Sequence, residues 1–251
     1  MKILLLAILI LLLPSVSYAQ VIGVGVSEIM KMEILGLEYN SLIENGEPLK
    51  VSFEVSNIGS VGYRARIRLD IFNRTNPLQT VWSSEENLPP GVGYHFNVYY
   101  PVNYEGKFKA RVRVYYANEI EEVKSFDFQV KKTTPPEKSF SITNFMTYKE
   151  EVEFNLKSNE TLENILIVPT NCPTGWICEQ KKLDKIRENE INKISLYYSP
   201  SLWKESGITI NVFMEDGKYD TTETFMLQKV GFLRQFLHDF SKSFRYFSIF
   251  L

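Results

Sequence analysis

Arg64-Ala65-Arg66-Ile67-Arg68-Leu69-Asp70-Ile71 alternates polar and apolar side chains for eight residues. Successive side chains of an extended strand point to opposite faces, so this stretch has one wet face and one dry face. It predicts a half-buried antiparallel strand. Phe108-x-Ala110-x-Val112-x-Val114-x-Tyr116 repeats the pattern with Lys and Arg outside. Val51-x-Phe53-x-Val55 and Phe126-x-Phe128-x-Val130 add shorter versions. Turn signals separate them at Asn45-Gly46, Asn57-Ile58-Gly59, Pro89-Pro90-Gly91 and Glu105-Gly106. Roughly seven short strands at such spacing suggest an immunoglobulin-like sandwich.

The pattern then returns. Val51–Asn57 is echoed by Val152–Asn159, Tyr99-Tyr100-Pro101 by Tyr197-Tyr198-Ser199-Pro200, Gly106 by Gly207, and Ser125–Gln129 by Thr224–Gln228, at offsets of 98 to 101 residues. Four echoes in order at nearly one offset indicate a repeat. Between the copies lies Lys131-Lys132-Thr133-Thr134-Pro135-Pro136-Glu137-Lys138, whose paired prolines exclude a sheet interior and read as a stiff linker. The expected fold is therefore all-β: two tandem immunoglobulin-like antiparallel β-sandwiches over residues 28–131 and 139–228, joined by a Pro-rich linker at 132–138. Each is long enough to bury its own core. A signal-peptide helix precedes them and an amphipathic C-terminal α-helix at 231–251 follows.

The first module resembles the cell-adhesion-related (CARDB-like) immunoglobulin-type domains of bacterial and archaeal surface proteins, through Leu49–Gly59, Leu88-Pro89-Pro90-Gly91 and Gly106-Lys107-Phe108. The second resembles a β-sandwich domain found beside carbohydrate-binding modules in secreted glycosidases, through Ile167-Val168-Pro169 and Pro173-Thr174-Gly175-Trp176. Neither resemblance implies a fixed catalytic set, so no site residues are carried over.

Met1-Lys2, the apolar run Ile3–Leu13 and Ser17-Tyr18-Ala19 have the order of a secretory signal: basic, apolar, then small-x-small before Gln20. Residues 1–19 are read as a signal peptide and the protein as exported, extracellular or in the cell envelope. An uncleaved N-terminal anchor is the alternative, although the run is shorter than the roughly 18 residues a span requires. In an exported chain the pair Cys172 and Cys178 reads as a disulfide, with two free thiols as the alternative. Trp176 lies between them. It is either a rigid contact residue at a loop tip, for a glycan or protein, or a tryptophan folded over its own core. Asn73-Arg74-Thr75 and Asn159-Glu160-Thr161 are glycosylation sequons, which makes Asn73 and Asn159 candidate acceptors.

The chain of 251 residues carries a net charge of −2, unevenly placed. Residues 229–251 hold Lys229, Arg234, Lys242 and Arg245 against Asp239, a net +3, which leaves the body at −5. An acidic body argues against nucleic acid as a partner. In the tail, Phe232, Leu233, Phe236, Leu237, Phe240, Phe244, Phe247 and Phe250 fall within an arc of about 140° on a helix, with Arg234, His238, Lys242 and Arg245 mostly opposite. This stripe either lies in a membrane interface or docks on a partner or on the second sandwich, and the basic face favours the membrane.

No nucleophile motif or metal-ligand spacing is present, and no cofactor is implied. His95 and His238 are the only histidines. Glu85, Glu86, Glu119, Glu121 and Glu122 could in principle supply a glycosidase pair, but each reads as a solvated turn or strand end. The sequence thus points to a non-enzymatic surface or envelope protein acting as a structural or adhesion module. A carbohydrate-binding accessory protein would need a strip of exposed aromatics. A two-domain secretion chaperone would need an open edge strand and a basic cleft between the sandwiches.

Overall fold

The computed structural model describes residues 28–44, 46–102, 104–117, 119–131, 139–173, 175–199, 206–218, 220–228 and 230–247, the last five as backbone only. The signal peptide, the Pro-rich linker, Phe250 and the side chains of Phe244 and Phe247 lie outside the described residues.

Seventeen strands and one helix make up the described chain. The first sandwich contains β1 (Met32–Tyr39), β2 (Leu42–Ile43), β3 (Leu49–Asn57), β4 (Tyr63–Asn73), β5 (Asn76–Trp82), β6 (Glu86–Leu88), β7 (Gly93–Tyr100), β8 (Gly106–Tyr116) and β9 (Glu119–Val130). One sheet has the order β1-β3-β7. The other has the order β2-β9-β8-β4-β5, with β6 also pairing β4. The second sandwich contains β10 (Phe140–Thr147), β11 (Glu151–Ser158), β12 (Leu162–Thr170), β13 (Ile177–Cys178), β14 (Lys181–Ile186), β15 (Asn192–Ser199), β16 (Ser206–Met214) and β17 (Asp220–Leu227). Its sheets are β10-β11-β15-β13 and β14-β12-β16-β17. The helix α1 (Phe232–Phe247) follows.

Seven strands of each sandwich correspond in order. β1-β3-β7 matches β10-β11-β15, and β9-β8-β4-β5 matches β17-β16-β12-β14. Each of the four sequence echoes falls on a matched pair of strands. The correspondence extends to a detail that carries no sequence echo: both first strands are bulged, between Leu35 and Glu38 and between Thr143 and Met146. Gly36 and Asn144 take the positive φ that the bulge requires, at 64° and 55°. Glycine has no Cβ to clash there, and asparagine tolerates the left-handed region better than most residues.

The alternating residues supply the cores. Val51, Phe53, Val55, Ile67, Leu69, Ile71, Val112 and Val114 are buried in one cluster. Asn57, fully buried, locks the β3–β4 turn. Its amide donates to the Val61 and Leu88 carbonyls at 2.8 Å, and its oxygen accepts from the Gly59 amide at 2.9 Å. Gly59 is required on steric grounds, because a Cβ would sit 2.1 Å from the Ile29 carbonyl oxygen.

The second sandwich does not stand apart. Ile165 and Ile167 on β12 point into its own core, while Leu166 and Val168 join the core cluster of the first sandwich together with Phe213 of β16. The four residues Ile165–Val168 are therefore apolar on both faces of the sheet, the composition of a doubly covered strand. Polar contacts seal the rim. The Gln180 amide donates to the Trp82 carbonyl at 3.1 Å, and the Gln180 side chain accepts from the Tyr99 amide at 3.0 Å. Glu215 meets Lys50 at 2.6 Å and Lys182 at 3.1 Å. Arg66 pairs with Glu85 and lies 3.4 Å from Glu179. Burial pushes the Glu179 carboxyl up to about 7, with Arg66 pulling against that and Glu85 and Glu86 adding to it.

Candidate functional site

β11 alternates in the manner of the first module. Val152, Phe154 and Leu156 enter the core, so Glu151 and Glu153 project together from the opposite face. On an open sheet both carboxylates would be solvated. Instead α1 lies over them, and the Glu151 and Glu153 side chains keep only 9% and 12% of their exposure.

The helix is held by its polar side. His238 Nε2 is 2.6 Å from Glu151 Oε1 and 3.7 Å from Glu153 Oε1, and its ring stacks on Tyr148 at a centroid distance of 3.7 Å. Lys242 Nζ reaches the same Glu151 oxygen at 2.6 Å. The Ser195 hydroxyl donates to the other Glu151 oxygen at 2.6 Å, and Lys193 pairs with Glu153 at 2.8 Å. One turn earlier, Gln235 accepts a hydrogen bond from the Lys149 amide at 3.0 Å. The Tyr198 hydroxyl donates to the Tyr148 carbonyl, which fixes the ring under the imidazole.

Ligand-type atoms of Glu151, Glu153 and His238 lie within 4.8 Å of one another, a spacing that a metal ion could bridge. The charges favour a different reading. Lys242 and Lys193 already neutralise the two carboxylates at ion-pair distance, and a divalent cation would have to displace them. The cluster is an ion-paired latch.

Sequence reasoning identified the helix and its stripe but not this contact. The docking alternative assumed that an apolar face would meet the sandwich, and the structure shows the reverse. Phe232, Leu233, Phe236, Leu237 and Phe240 are 86%, 69%, 54%, 57% and 53% exposed. The basic face is also less open than its sequence suggests, since His238 and Lys242 are engaged below. A signal was available in Glu151-x-Glu153, an acidic pair on a wet strand face of opposite charge to the tail.

The latch gives a prediction. Burial raises the Glu151 carboxyl, but the Lys242 ammonium, the Ser195 hydroxyl and His238 outweigh it and hold the carboxyl below its ordinary 4.5. A depressed carboxyl stabilises the docked state above its unfolded value, and that stability is lost as pH falls through the lower folded value. Helix docking should therefore be intact at neutral pH and fail in acid below 4.5. Glu151→Gln should loosen it already at neutral pH. Hydrogen bonds to charged groups contribute about 1.5–3 kcal/mol, so exchange of the α1 amides should accelerate at least about tenfold. Unchanged exchange in Glu151→Gln would mean that the latch does not hold the helix.

The remaining sequence candidates are placed as follows. Cys172 and Cys178 form a disulfide with Cα atoms 6.4 Å apart. Trp176 is not a loop-tip contact: it is 4% exposed and stacks on Tyr198 at 5.1 Å within the second core. Asn73, ending β4, and Asn159, in the β11–β12 turn, are both exposed. Glu85 pairs with Arg64 and Arg66, Glu122 with Arg111, and Glu86 accepts from Ser84. Trp82 is buried too, and the exposed tyrosines Tyr94, Tyr104 and Tyr197 sit on β7, the following loop and β15, not on one strip.

No protein-family model matches the sequence, and no curated protein does. Solved structures do match. The CARDB domain of a Pyrococcus furiosus protein has a TM-score of 0.31 at 15% identity, over 41% of this chain and 90% of that domain. An alkylpurine DNA glycosylase of Pseudomonas fluorescens has a TM-score of 0.33 at 16% identity, over 41% of this chain and 31% of its own. A Listeria innocua β-glucosidase has a TM-score of 0.33 at 17% identity, over 43% of this chain and 17% of its own. The chain thus spans less than a third of the lengths of those two enzymes. None of these likenesses bears on activity.

Proposed function

We propose that this chain is a non-enzymatic exported protein in which the paired sandwiches act as one rigid arm at the cell surface or envelope, a structural or adhesion module. The observation that carries the reading is the shared apolar cluster of Leu166, Val168 and Phe213 with the first sandwich. It makes the two modules a single body, which suits a load-bearing or presenting part. The disulfide is consistent with an oxidising compartment, and the N-terminal apolar run with export. The apolar packing of Leu166, Val168 and Phe213 against the first sandwich gives a basic cleft between the domains little support, and the scattered aromatics give a sugar-binding platform little support.

Cell fractionation tests the proposal. The protein should appear in the envelope or medium as a chain beginning at Gln20, with Cys172 and Cys178 resistant to alkylation until reduced. A cytosolic protein with two freely alkylated thiols would overturn it.

A further inference from the structure

We propose that α1 docks the protein on a lipid surface: the sandwich grips the helix by its polar face and so holds Phe232, Leu233, Phe236, Leu237 and Phe240 outward, toward a bilayer interface. The inference rests on the exported reading above and names the partner. At about 100° per residue, the latch residues Gln235, His238 and Lys242 centre on the side of the helix opposite the stripe. To turn its phenylalanines onto its own sandwich, the helix would have to abandon the Glu151 ion pairs, the Tyr148 stack and the Lys149 hydrogen bond together. The exposed stripe is thus a fixed feature of the fold.

Three observations select lipid over a second copy of the chain. The first is width: an apolar arc of about 140° is broader than the narrow seam by which two helices pair. The second is length. The helix has 16 residues, about 24 Å, and no described helix is long and apolar enough to cross a membrane, so this one would lie in the interface plane. The third is charge. The tail carries +3 and the body −5, so an anionic surface attracts the helix and repels the sandwiches, which orients the molecule. Arg234 is exposed and falls about 60° past the edge of the stripe on the helix. From there its long side chain can reach lipid headgroups while the stripe enters the acyl boundary.

The test is co-sedimentation of the full mature protein with vesicles of phosphatidylcholine, alone or mixed equally with phosphatidylglycerol. The wild type should bind the mixed vesicles, bind the neutral ones less, and release from the mixed ones as salt is raised. Phe236→Glu with Phe240→Glu should weaken binding at least about a hundredfold, and Leu237→Glu alone about tenfold, with melting of the sandwiches unchanged because these positions are exposed. A wild-type protein that ignores both kinds of vesicle would overturn the proposal. So would a dimer in sedimentation velocity that the paired Glu substitutions dissociate, with no vesicle binding. A cytosolic protein that still bound vesicles would remove the exported reading and support the lipid contact. An exported protein that bound none would do the reverse.

Discussion

Val168→Asp should destabilise the whole protein by about 3–5 kcal/mol. Val168 is fully buried on β12, on the face that meets the first sandwich, and its backbone carbonyl accepts from the buried Asn211 side chain at 2.9 Å. A carboxylate there would face the apolar cluster of the other module with no cation beside it, and an uncompensated buried charge costs about 3–5 kcal/mol. For a chain of this size each kcal/mol lowers the melting temperature by about 2–4 °C, so the midpoint should fall by roughly 10 °C. Ile120→Asp is the control. Ile120 lies on β9 at 60% exposure, and the same charge there should change stability by less than about 0.5 kcal/mol. Circular dichroism melts of the three proteins decide the matter. A Val168→Asp protein that melts like wild type would show that the sandwiches do not share a core in solution.

How much of the fold is legible in the sequence depends on the range of the interaction. Alternation is local, so Arg64–Ile71 and Phe108–Tyr116 announced β4 and β8 directly. The repeat was legible because both copies need apolar residues at equivalent inward positions. The interface was written more faintly. Ile165-Leu166-Ile167-Val168 breaks the alternation, and a run without a wet face means cover on both sides; what covers the second side is a surface far away in sequence, which no periodicity records. The latch was harder still. Glu151 and Glu153 on one strand face look like ordinary solvated carboxylates, and His238 looks like part of a wet helical stripe. Each is locally unremarkable, and only the meeting of Glu151 with His238 across 86 intervening residues gives them a role. The stripe itself was plain from sequence, but which way it faces depended on that meeting.

Trp176→Ala should cost about 3–5 kcal/mol in stability while leaving surface interactions unchanged. The sequence allowed a contact residue or a core residue inside the Cys172–Cys178 loop, because a pinned loop presents a side chain outward as readily as inward. The structure places the indole inward, nearly parallel to the Tyr198 ring at 8°, with the Trp176 amide donating to the Pro173 carbonyl at 2.9 Å. Truncating a buried tryptophan removes its transfer free energy and leaves a cavity. The lost aromatic pair adds about 0.5–1.5 kcal/mol. Tyr198 also donates to the carbonyl of Tyr148, whose ring stacks on His238, so the loss should pass to the helix and speed exchange of the α1 amides. Replacing both cysteines by serine should cost less, about 2 kcal/mol for so short a loop. The two effects should not add, since the disulfide and the indole order the same seven residues. In the serine background Trp176→Ala should therefore cost less than in the wild type. Chemical denaturation of the four proteins gives this cycle directly. A Trp176→Ala protein of wild-type stability that failed to bind a surface glycan or protein would return the tryptophan to the loop tip and overturn its assignment to the core.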